Sequence, residues 1–425
     1  MFFSLLMSIF VHYNRTPLFA TNEHSMLLKS EIEKAVTQQA LLYQKKVEGI
    51  ERGVLPKIRL GKTHILVITG VRRCGKSTLM LQLSRKEKKN FSIFNFEDPR
   101  VFNFDTDDFS KLTEVLDASD TLFLDEIQNV TGWEVFVRHL HDLKKVICIT
   151  GSNASLLSSE LSTRLTGRNL QLELFPFSFA EYCRFTGANR DGVSFQDYLH
   201  RGGFPDYLST DNKEVPQQLF KDIIYRDIIV RHGVRNHKAL IDIGLYLISN
   251  VAKEYSLNRL RKAFALGSVN TVSEYIQWLE DSYVLFSLPR FSWSAKSIAI
   301  NPRKVYTIDT GFARANSLSF SKDSGRLFEN AVYLQLRRNH KDLYYFRDKG
   351  ECDFVVREGS SVSQVLQVCS EVNQDNMKRE VDGLREAMRF FKLKEGLIIT
   401  LDQEDELKAD GEIVRLLPAW KWFSA

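Results

Sequence analysis

Short runs of apolar, largely β-branched residues punctuate the first half of the chain and predict buried strands at residues 65–70, 121–124, 146–150 and 169–175. The spacing then changes to that of a helix after the first two runs, beginning at Thr78 and at Trp133. We expect the apolar side chains of this second helix to pack in the core.

A different pattern occupies the middle of the chain. A Gly-Gly-Phe-Pro turn at residues 202–205 precedes an amphipathic helix over residues 217–232. We interpret residues 186–235 as a helical lid or linker. The helix is expected to turn its charged residues to water, although Arg226 could instead face a bound ligand; these residues are Lys221, Arg226, Asp227 and Arg231.

Residues 236–310 show three helical segments followed by two strands with a basic loop between them, which is the element order of a winged helix. The helices are predicted at 239–252, 257–265 and 270–281, and the strands at 283–288 and 304–308. The remaining residues, 311–425, predict a helix at 327–338, a strand at 352–356 and a later helix, so this last unit is α/β.

The N-terminus begins with thirteen mainly apolar residues, but no Lys or Arg precedes them and no clear cleavage site follows. We expect residues 1–25 to be a disordered extension, with a secretory signal as the alternative. An amphipathic helix begins near Met26.

Composition narrows the class of protein. Of 425 residues, 44% are hydrophobic and 26% charged, which excludes a long disordered chain. The 58 basic and 53 acidic residues give a net charge of +5, which permits nucleic-acid contact without requiring it. The 5 cysteines are scattered without metal-binding spacing, which favours a reducing, cytoplasmic location. No apolar run is long enough for a membrane span, so no membrane partner is expected.

The strongest motif follows the first strand and fits the pattern G-x-x-x-x-G-K-[ST] in full. Glycines let the backbone curl so that its N–H groups surround phosphate oxygens. Lys76 would place its charge on the β- and γ-phosphates, and Ser77 would ligate Mg²⁺. A chance match on a turn is the alternative, but strand and helix flank the motif as required. The predicted nucleotide-binding residues are Gly70, Val71, Arg72, Arg73, Cys74, Gly75, Lys76, Ser77 and Thr78.

Two adjacent carboxylates end the second strand. Buried charges are costly unless they are paired or bound to metal, so Asp125 and Glu126 have few purely structural explanations. We expect Asp125 to hold Mg²⁺ and Glu126 to orient and activate a water molecule. An acidic turn at the end of a strand is the alternative.

Polar residues also follow the strand at 146–150. Asn153, or next Ser152, could contact a γ-phosphate or the attacking water. Asn153 could equally be the N-cap of the next helix.

Together these residues resemble the AAA+ division of phosphate-loop ATPases, and in particular a bacterial and archaeal group with a C-terminal domain of unknown function, family 4143. The resemblance covers about residues 40–420 and includes the stretches ITGVRRCGKSTLM, TLFLDEIQNVTGWE, ITGSNASLLSSELSTRLTGR, LELFPFSFAEY, YLHRGGFPDYL and YRDIIVRHGVRN. It implies an α/β core at residues 26–185 in which helices cover both faces of a parallel sheet. A winged helix and a fold similar to restriction endonucleases follow, with ATP and Mg²⁺ as cofactors.

The resemblance also implies an arginine that reaches the γ-phosphate of a neighbouring subunit. Arg164 and Arg168 flank that position, and Arg168 stands just before the strand at 169–175. A surface arginine at a helix end is the alternative.

DNA recognition by the winged helix is poorly supported. Its third helix carries Glu274, Glu280 and Asp281 and no Lys or Arg, although DNA readers place basic or amide side chains there. Basic residues nearby could still grip phosphates, or form only a solvated face; they are Arg259, Arg261, Lys262, Arg290, Lys296, Arg303 and Lys304.

The nuclease-like fold implies Glu329 and Asp353 as an acidic pair for Mg²⁺, followed by Glu-x-Lys on the next strand. Gln367 and Cys369 stand at those two positions instead. Glu371 and Lys378 lie just beyond and could substitute. We therefore interpret this domain as an inactive nuclease fold.

Cys74 is a further candidate for chemistry. A position between Arg73 and Gly75, at a helix N-terminus, should favour its thiolate, so we expect a reactive thiol that bound ATP protects. A small buried side chain is the alternative.

The sequence thus predicts an ATP-hydrolysing switch coupled to winged-helix and nuclease-like modules. A DNA-binding ATPase that gates cleavage, and a nucleotide-held scaffold without turnover, are the alternatives. Nucleic acid through non-specific phosphate contacts, a second copy of the chain, or another protein could be its partner.

Overall fold

A five-stranded sheet organises the first part of the chain in a computed structural model, which describes residues 26–87, 90–157, 165, 167–318 and 324–424. The predicted extension, residues 1–25, lies outside these ranges, as does Arg164. The strands are β1 (Ile65–Thr69), β2 (Phe91–Asn95), β3 (Thr121–Asp125), β4 (Val146–Gly151) and β5 (Asn169–Glu173). Their order is β2-β3-β4-β1-β5, and every neighbouring pair is parallel. The carboxyl ends of β1, β3 and β4 therefore meet at one edge.

Helices cover both faces of this sheet, as predicted. The alternation along β1 explains why, because Leu66 and Ile68 point into one buried cluster and Ile65 and Val67 into the other. The helices are α1 (Lys29–Lys45), α2 (Lys76–Lys86), α3 (Phe109–Val115) and α4 (Trp133–Asp142). This is the organisation of a phosphate-loop AAA fold.

A helical region follows the sheet. It comprises α5 (Phe179–Thr186), α6 (Gly192–Arg201), α7 (Pro205–Thr210) and α8 (Glu214–Asp222), and continues as a π-helix over Ile223–Val230. The single amphipathic α-helix predicted at 217–232 is therefore wrong in its second half. The wider turn lets Ile224, Asp227 and Ile228 all face inward, so Asp227 is buried rather than exposed to water.

Three helices and an antiparallel sheet come next, in the predicted order except that a two-residue strand that was not predicted lies between the first two helices. The helices are α9 (His237–Ser249), α10 (Leu257–Ala263) and α11 (Val269–Asp281), and the strands are β6 (Glu254–Tyr255), β7 (Leu285–Pro289) and β8 (Arg303–Thr307), ordered β6-β8-β7. A short helix that the sequence did not predict, α12 (Ala295–Ile300), lies in the basic loop. Helix α13 (Thr310–Asn316) leads onward.

The last unit contains a six-stranded mixed sheet, ordered β13-β14-β12-β11-β10-β9. Its strands are β9 (Leu343–Arg347), β10 (Glu351–Glu358), β11 (Ser361–Val368), β12 (Glu395–Thr400), β13 (Asp405–Ala409) and β14 (Glu412–Pro418). Its helices are α14 (Ser324–Asn339), α15 (Met377–Phe391) and α16 (Ala419–Trp422). One face packs on α15, whereas the other joins the main core through side chains such as Phe354. The described part of the chain is thus mixed α/β overall.

Within the described ranges, no helix combines the length and apolar character needed to cross a bilayer.

Candidate functional site

The loop between β1 and α2 adopts a backbone that its sequence specifically permits. Gly70 and Gly75 have φ values of 154° and 102°, and Arg73 has a φ of 64°. A Cβ atom on Gly70 would lie 2.1 Å from the carbonyl oxygen of Leu174. Only glycine fits at that position, and the resulting curl carries the backbone directly into the N-terminus of α2.

Lys76 is buried beneath this loop. Its Nζ donates to the carbonyl oxygens of Gly70 and Val71, at 3.1 and 3.3 Å, and lies 3.2 Å from Glu126 Oε1. Burial is the largest effect and opposes the charged ammonium, but the negative groups nearby, Glu126 first among them, together outweigh it and raise the pKa of Lys76. The loop therefore holds a positive charge at its centre.

Asp125 ends β3 among hydroxyl groups. Thr150 Oγ1 donates to Asp125 Oδ1 at 2.5 Å, and the Tyr43 hydroxyl donates to Oδ2 at 3.0 Å. Ser77 is a further hydrogen-bond partner. Burial, reinforced by the Glu126 charge, raises the pKa of Asp125. A carboxylate beside a serine hydroxyl is a donor set that suits Mg²⁺.

Glu126 follows with a φ of 52°, which turns its side chain toward the loop. Gln128 Nε2 donates to Glu126 Oε2 at 2.5 Å, and the Ser152 backbone N–H donates to the same oxygen at 3.2 Å. Burial works against ionisation here, yet the Lys76 charge and these donors hold the pKa of Glu126 below its usual range. Glu126 is therefore an ionised carboxylate at neutral pH.

These groups open onto one cavity of about 430 Å³. One wall is the loop and the start of α2, with Lys76, Ser77 and Thr78. The apolar part of the lining, which we call the apolar wall, comprises Val47, Ile50, Phe177, Phe185 and Pro205. The cavity thus offers both phosphate-binding chemistry and an apolar surface.

Acidic residues pair directly with the two arginines of the loop. Arg72 forms two hydrogen bonds to Asp227, at 3.2 and 2.9 Å, and one to Glu97 at 2.7 Å. Arg73 pairs with Asp222 at 3.0 Å. The loop is therefore linked by ion pairs to α8 and to the π-helix.

Arg226 also lines this cavity, with Nη1 3.9 Å from Glu97. Its side chain is 67% exposed, so Arg226 meets water as expected, and its role toward a ligand stays a proposal.

Sequence reasoning missed several residues that shape the site. Arg52 donates to the carbonyl oxygens of Cys74 and Phe175, at 2.9 and 2.7 Å, and pairs with Glu181. Tyr43 on α1 and Thr150 on β4 position Asp125. No local motif marks these side chains; only the strand end at Thr150 was a usable signal.

The other predicted residues lie in different places. Asn153 is buried after β4 and is not among the residues that line the cavity, whereas Thr150 and Ser152 just before it contact Asp125 and Glu126. Arg168 lies before β5, at the edge of the sheet opposite the loop, with its Nη1 3.7 Å from Asp142. Within one chain, then, Arg168 does not approach the cavity.

The prediction of a reactive Cys74 is wrong. The side chain is fully buried behind the loop rather than in the cavity, and that burial outweighs the nearby positive charges and raises the pKa of the thiol. The packed alternative is correct.

A second cluster of charges lies in the C-terminal unit. Lys304 Nζ lies 3.0 Å from Glu329, 2.8 Å from Glu351 and 2.8 Å from Asp353. Lys304 is buried, so the expectation that it grips phosphates of nucleic acid is wrong.

The groups around Asp353 also differ from expectation. The Asp353 N–H donates to Gln367 Oε1 at 3.1 Å, and Gln367 Nε2 donates to Glu380 at 2.7 Å. Glu371 and Lys378 are exposed, so neither replaces a missing ligand in this cluster. Lys304 and Glu380 were not predicted here, because both come from elements outside the motif.

Comparisons with known proteins divide the chain into three matched regions. An AAA domain matches residues 62–183, a domain of unknown function (DUF8612) matches residues 193–323, and a domain of unknown function (DUF4143) matches residues 324–422.

Two curated relatives match most of the chain. The uncharacterized protein MJ1544 of Methanocaldococcus jannaschii is 34% identical, covering 94% of this chain and 96% of its own. An uncharacterized protein of Haemophilus influenzae is 29% identical, covering 84% of this chain and 94% of its own.

Solved structures show more distant similarity. AMPPCP-bound DnaA from Aquifex aeolicus is 16% identical, with a TM-score of 0.27 over 58% of this chain and 88% of that one. The RuvB Holliday junction branch migration motor of Thermotoga maritima is 16% identical, with a TM-score of 0.30 over 61% and 88%. In this chain an AAA domain thus precedes the DUF8612 and DUF4143 regions. Because the relative from M. jannaschii matches along nearly its whole length, the chain belongs to the family of that protein.

Proposed function

We propose that this protein binds ATP with Mg²⁺ and hydrolyses it. The observation that carries the proposal is the buried trio of Lys76, Asp125 and Glu126 beneath a loop whose backbone only glycine permits at Gly70. A buried ammonium beside two carboxylates is a costly arrangement, and phosphoryl transfer gives it a use.

Each residue has a distinct role in this mechanism. The loop N–H groups and Lys76 bind the β- and γ-phosphates, and Ser77 with Asp125 would hold Mg²⁺. Bound there, Mg²⁺ supplies positive charge that offsets the negative charge developing on the phosphates. Glu126 accepts a proton from water as the water oxygen attacks the γ-phosphorus, and ADP leaves with the β–γ bridging oxygen.

The apolar wall is the proposed position of the base. Phe177 and Phe185 have ring centroids 5.3 Å apart and line the cavity beside Val47 and Ile50. Their flat and branched surfaces suit a purine ring, whose burial releases water from apolar area.

The remaining predicted roles stay proposals. The proposed contact of Asn153 with the attacking water would be made next to Ser152. The proposed contact of Arg168 would be with the γ-phosphate bound to a neighbouring copy of the chain. Residues 236–310 form a winged helix whose exposed Arg259 and Lys262 contact phosphates of nucleic acid without reading bases. Residues 311–425 form a nuclease-like domain that does not cleave.

Turnover measurements test the proposed function. The purified chain should release inorganic phosphate from ATP only when Mg²⁺ is present, and a DNA titration shows whether nucleic acid stimulates it. Stimulation favours the DNA-processing alternative. Nucleotide binding without turnover favours a scaffold, and absence of binding overturns the proposal.

A further inference from the structure

We propose that the ion pair between Arg72 of the loop and Asp227 of the π-helix is a nucleotide sensor. Phosphates bound at the loop compete with Asp227 for the Arg72 guanidinium, so nucleotide loosens the contact between the loop and the helical region. This inference rests on the proposed function, because it requires a phosphate ligand in the cavity.

The pair has the geometry of a specific contact. Arg72 Nε and Nη2 reach the two oxygens of Asp227, at 3.2 and 2.9 Å, so the guanidinium and the carboxylate meet in parallel. The side chains of Arg72 and Asp227 are 18% and 8% exposed, which limits screening by solvent. Arg72 Nη1 donates to Glu97 at 2.7 Å. Each of the three guanidinium nitrogens of Arg72 therefore donates to a carboxylate.

The same guanidinium lies where phosphates would bind. Arg72 lines the cavity together with Lys76 and Ser77. A phosphate group can accept two hydrogen bonds from a guanidinium, as a carboxylate does, and it carries more negative charge. It can therefore compete with Asp227 for the Arg72 guanidinium. Asp222 also lines the cavity, and Asp227 lies directly behind Arg72, so both carboxylates would repel bound phosphates as like charges.

Loss of the Arg72–Asp227 pair would also affect helices outside the ATP site. Asp227 belongs to the π-helix that continues α8, and α8 contacts α13 through two hydrogen bonds. Gln217 Nε2 donates to the Ala315 carbonyl at 3.0 Å, and Asn316 Nδ2 donates to the Pro216 carbonyl at 3.2 Å. Helix α13 ends at Asn316, and the DUF4143 region begins at residue 324. The pair thus links the loop to the element that leads into the last third of the chain.

The direction of the effect follows from linkage. If bound nucleotide weakens the Arg72–Asp227 pair, removing Asp227 must strengthen nucleotide binding by the same free energy. A residue that merely supports the site would have the opposite effect, because its loss would weaken binding. The sign of the change therefore separates the sensor from a structural role.

The test measures dissociation constants for Mg-ATP and Mg-ADP in the full chain. Asp227→Asn should tighten Mg-ATP binding by about threefold to tenfold, at the lower end of typical couplings between sites. Asp206→Asn is the matched control, since this exposed aspartate lines the cavity that Arg72 also lines and, among the described contacts, has no arginine partner. Its effect measures the loss of one negative charge alone.

Two further measurements complete the design. In an Arg72→Met background, Asp227→Asn should no longer tighten binding, because the competition for Arg72 is gone. Hydrogen exchange in residues 214–231 of the parent chain should become faster with Mg-ATP. An Asp227→Asn effect equal to that of Asp206→Asn, or weaker binding in Asp227→Asn, overturns the sensor. Failure of the parent to bind any nucleotide overturns the proposed function instead.

Discussion

Lys76 Nζ lies 3.2 Å from Glu126 Oε1, so the cation placed to hold phosphate is paired with the carboxylate placed to activate water. Each group offsets the burial cost of the other in the nucleotide-free chain. Their chemical roles are nevertheless different, and substitution should separate them.

Lys76→Ala should weaken ATP binding by about 100-fold, because it removes a buried, charge-assisted contact and leaves Glu126 unpaired. Glu126→Gln should bind ATP yet lower kcat by roughly 10² to 10⁴, the range for loss of a general base. Equilibrium binding and single-turnover hydrolysis measure the two effects. Lys86→Ala, an exposed lysine on the same helix, serves as the control. Hydrolysis at the parental rate in Glu126→Gln would refute its assignment.

Burial should make Cys74 slow to alkylate, since it shields the sulfur and raises the pKa of the thiol. Iodoacetamide on the native protein should modify the half-buried Cys369 first. Peptide mass spectrometry gives the rates with and without Mg-ATP. Labelling of Cys74 as fast as Cys369, together with protection by Mg-ATP, would contradict the buried geometry.

The purified protein should not cut DNA with Mg²⁺ or Mn²⁺. Lys304 places a positive charge within 3.0 Å of Glu329, Glu351 and Asp353, where it opposes a metal ion. Gln367 and Cys369 also lack the charges that the nuclease pattern requires. A supercoiled-plasmid nicking assay is the measurement. Metal-dependent nicking that disappears in Asp353→Ala would show an active site after all.

Stability should depend on pH through Asp309, whose pKa burial raises to about 6. The folded chain then binds this proton more tightly than the unfolded chain does, so stability is highest below the unfolded pKa and falls as pH rises through 6. Between pH 5 and pH 7 the loss should be about 1 kcal/mol. Urea unfolding at both pH values compares the parent with Asp309→Asn, which should lack this component, and with exposed Asp206→Asn, which should retain it. Equal pH dependence in all three would be contrary to the buried environment of Asp309.

The sequence predicted the parts of the site that local chemistry encodes. The loop, Asp125 and Glu126 belong to short motifs at strand ends, and parallel strands place such ends together. The tertiary contacts that these residues make could not be predicted from such motifs. The Arg72–Asp227 contact spans 155 positions, and no periodicity in the chain records a pair formed at that separation.

The same reason explains the errors at Cys74 and Lys304. A thiol in a phosphate-binding loop looks exposed in sequence, but the direction of one side chain depends on the tertiary packing behind the loop. Lys304 looked like one of several surface bases because its acidic partners lie on other elements. Helix spacing likewise did not reveal the π-helix, since the same isoleucines satisfy either winding.

The C-terminus of the chain returns to the segment that follows the AAA domain. Phe423 packs against Phe195 with ring centroids 4.8 Å apart, and Phe195 also contacts Phe328 at 5.9 Å. If the chain were divided between residues 323 and 324, both pieces would therefore expose apolar surface that is buried in the intact chain. The DUF8612 and DUF4143 regions are matched as two separate domains, but they share one hydrophobic core. We therefore expect them to unfold together as one cooperative unit.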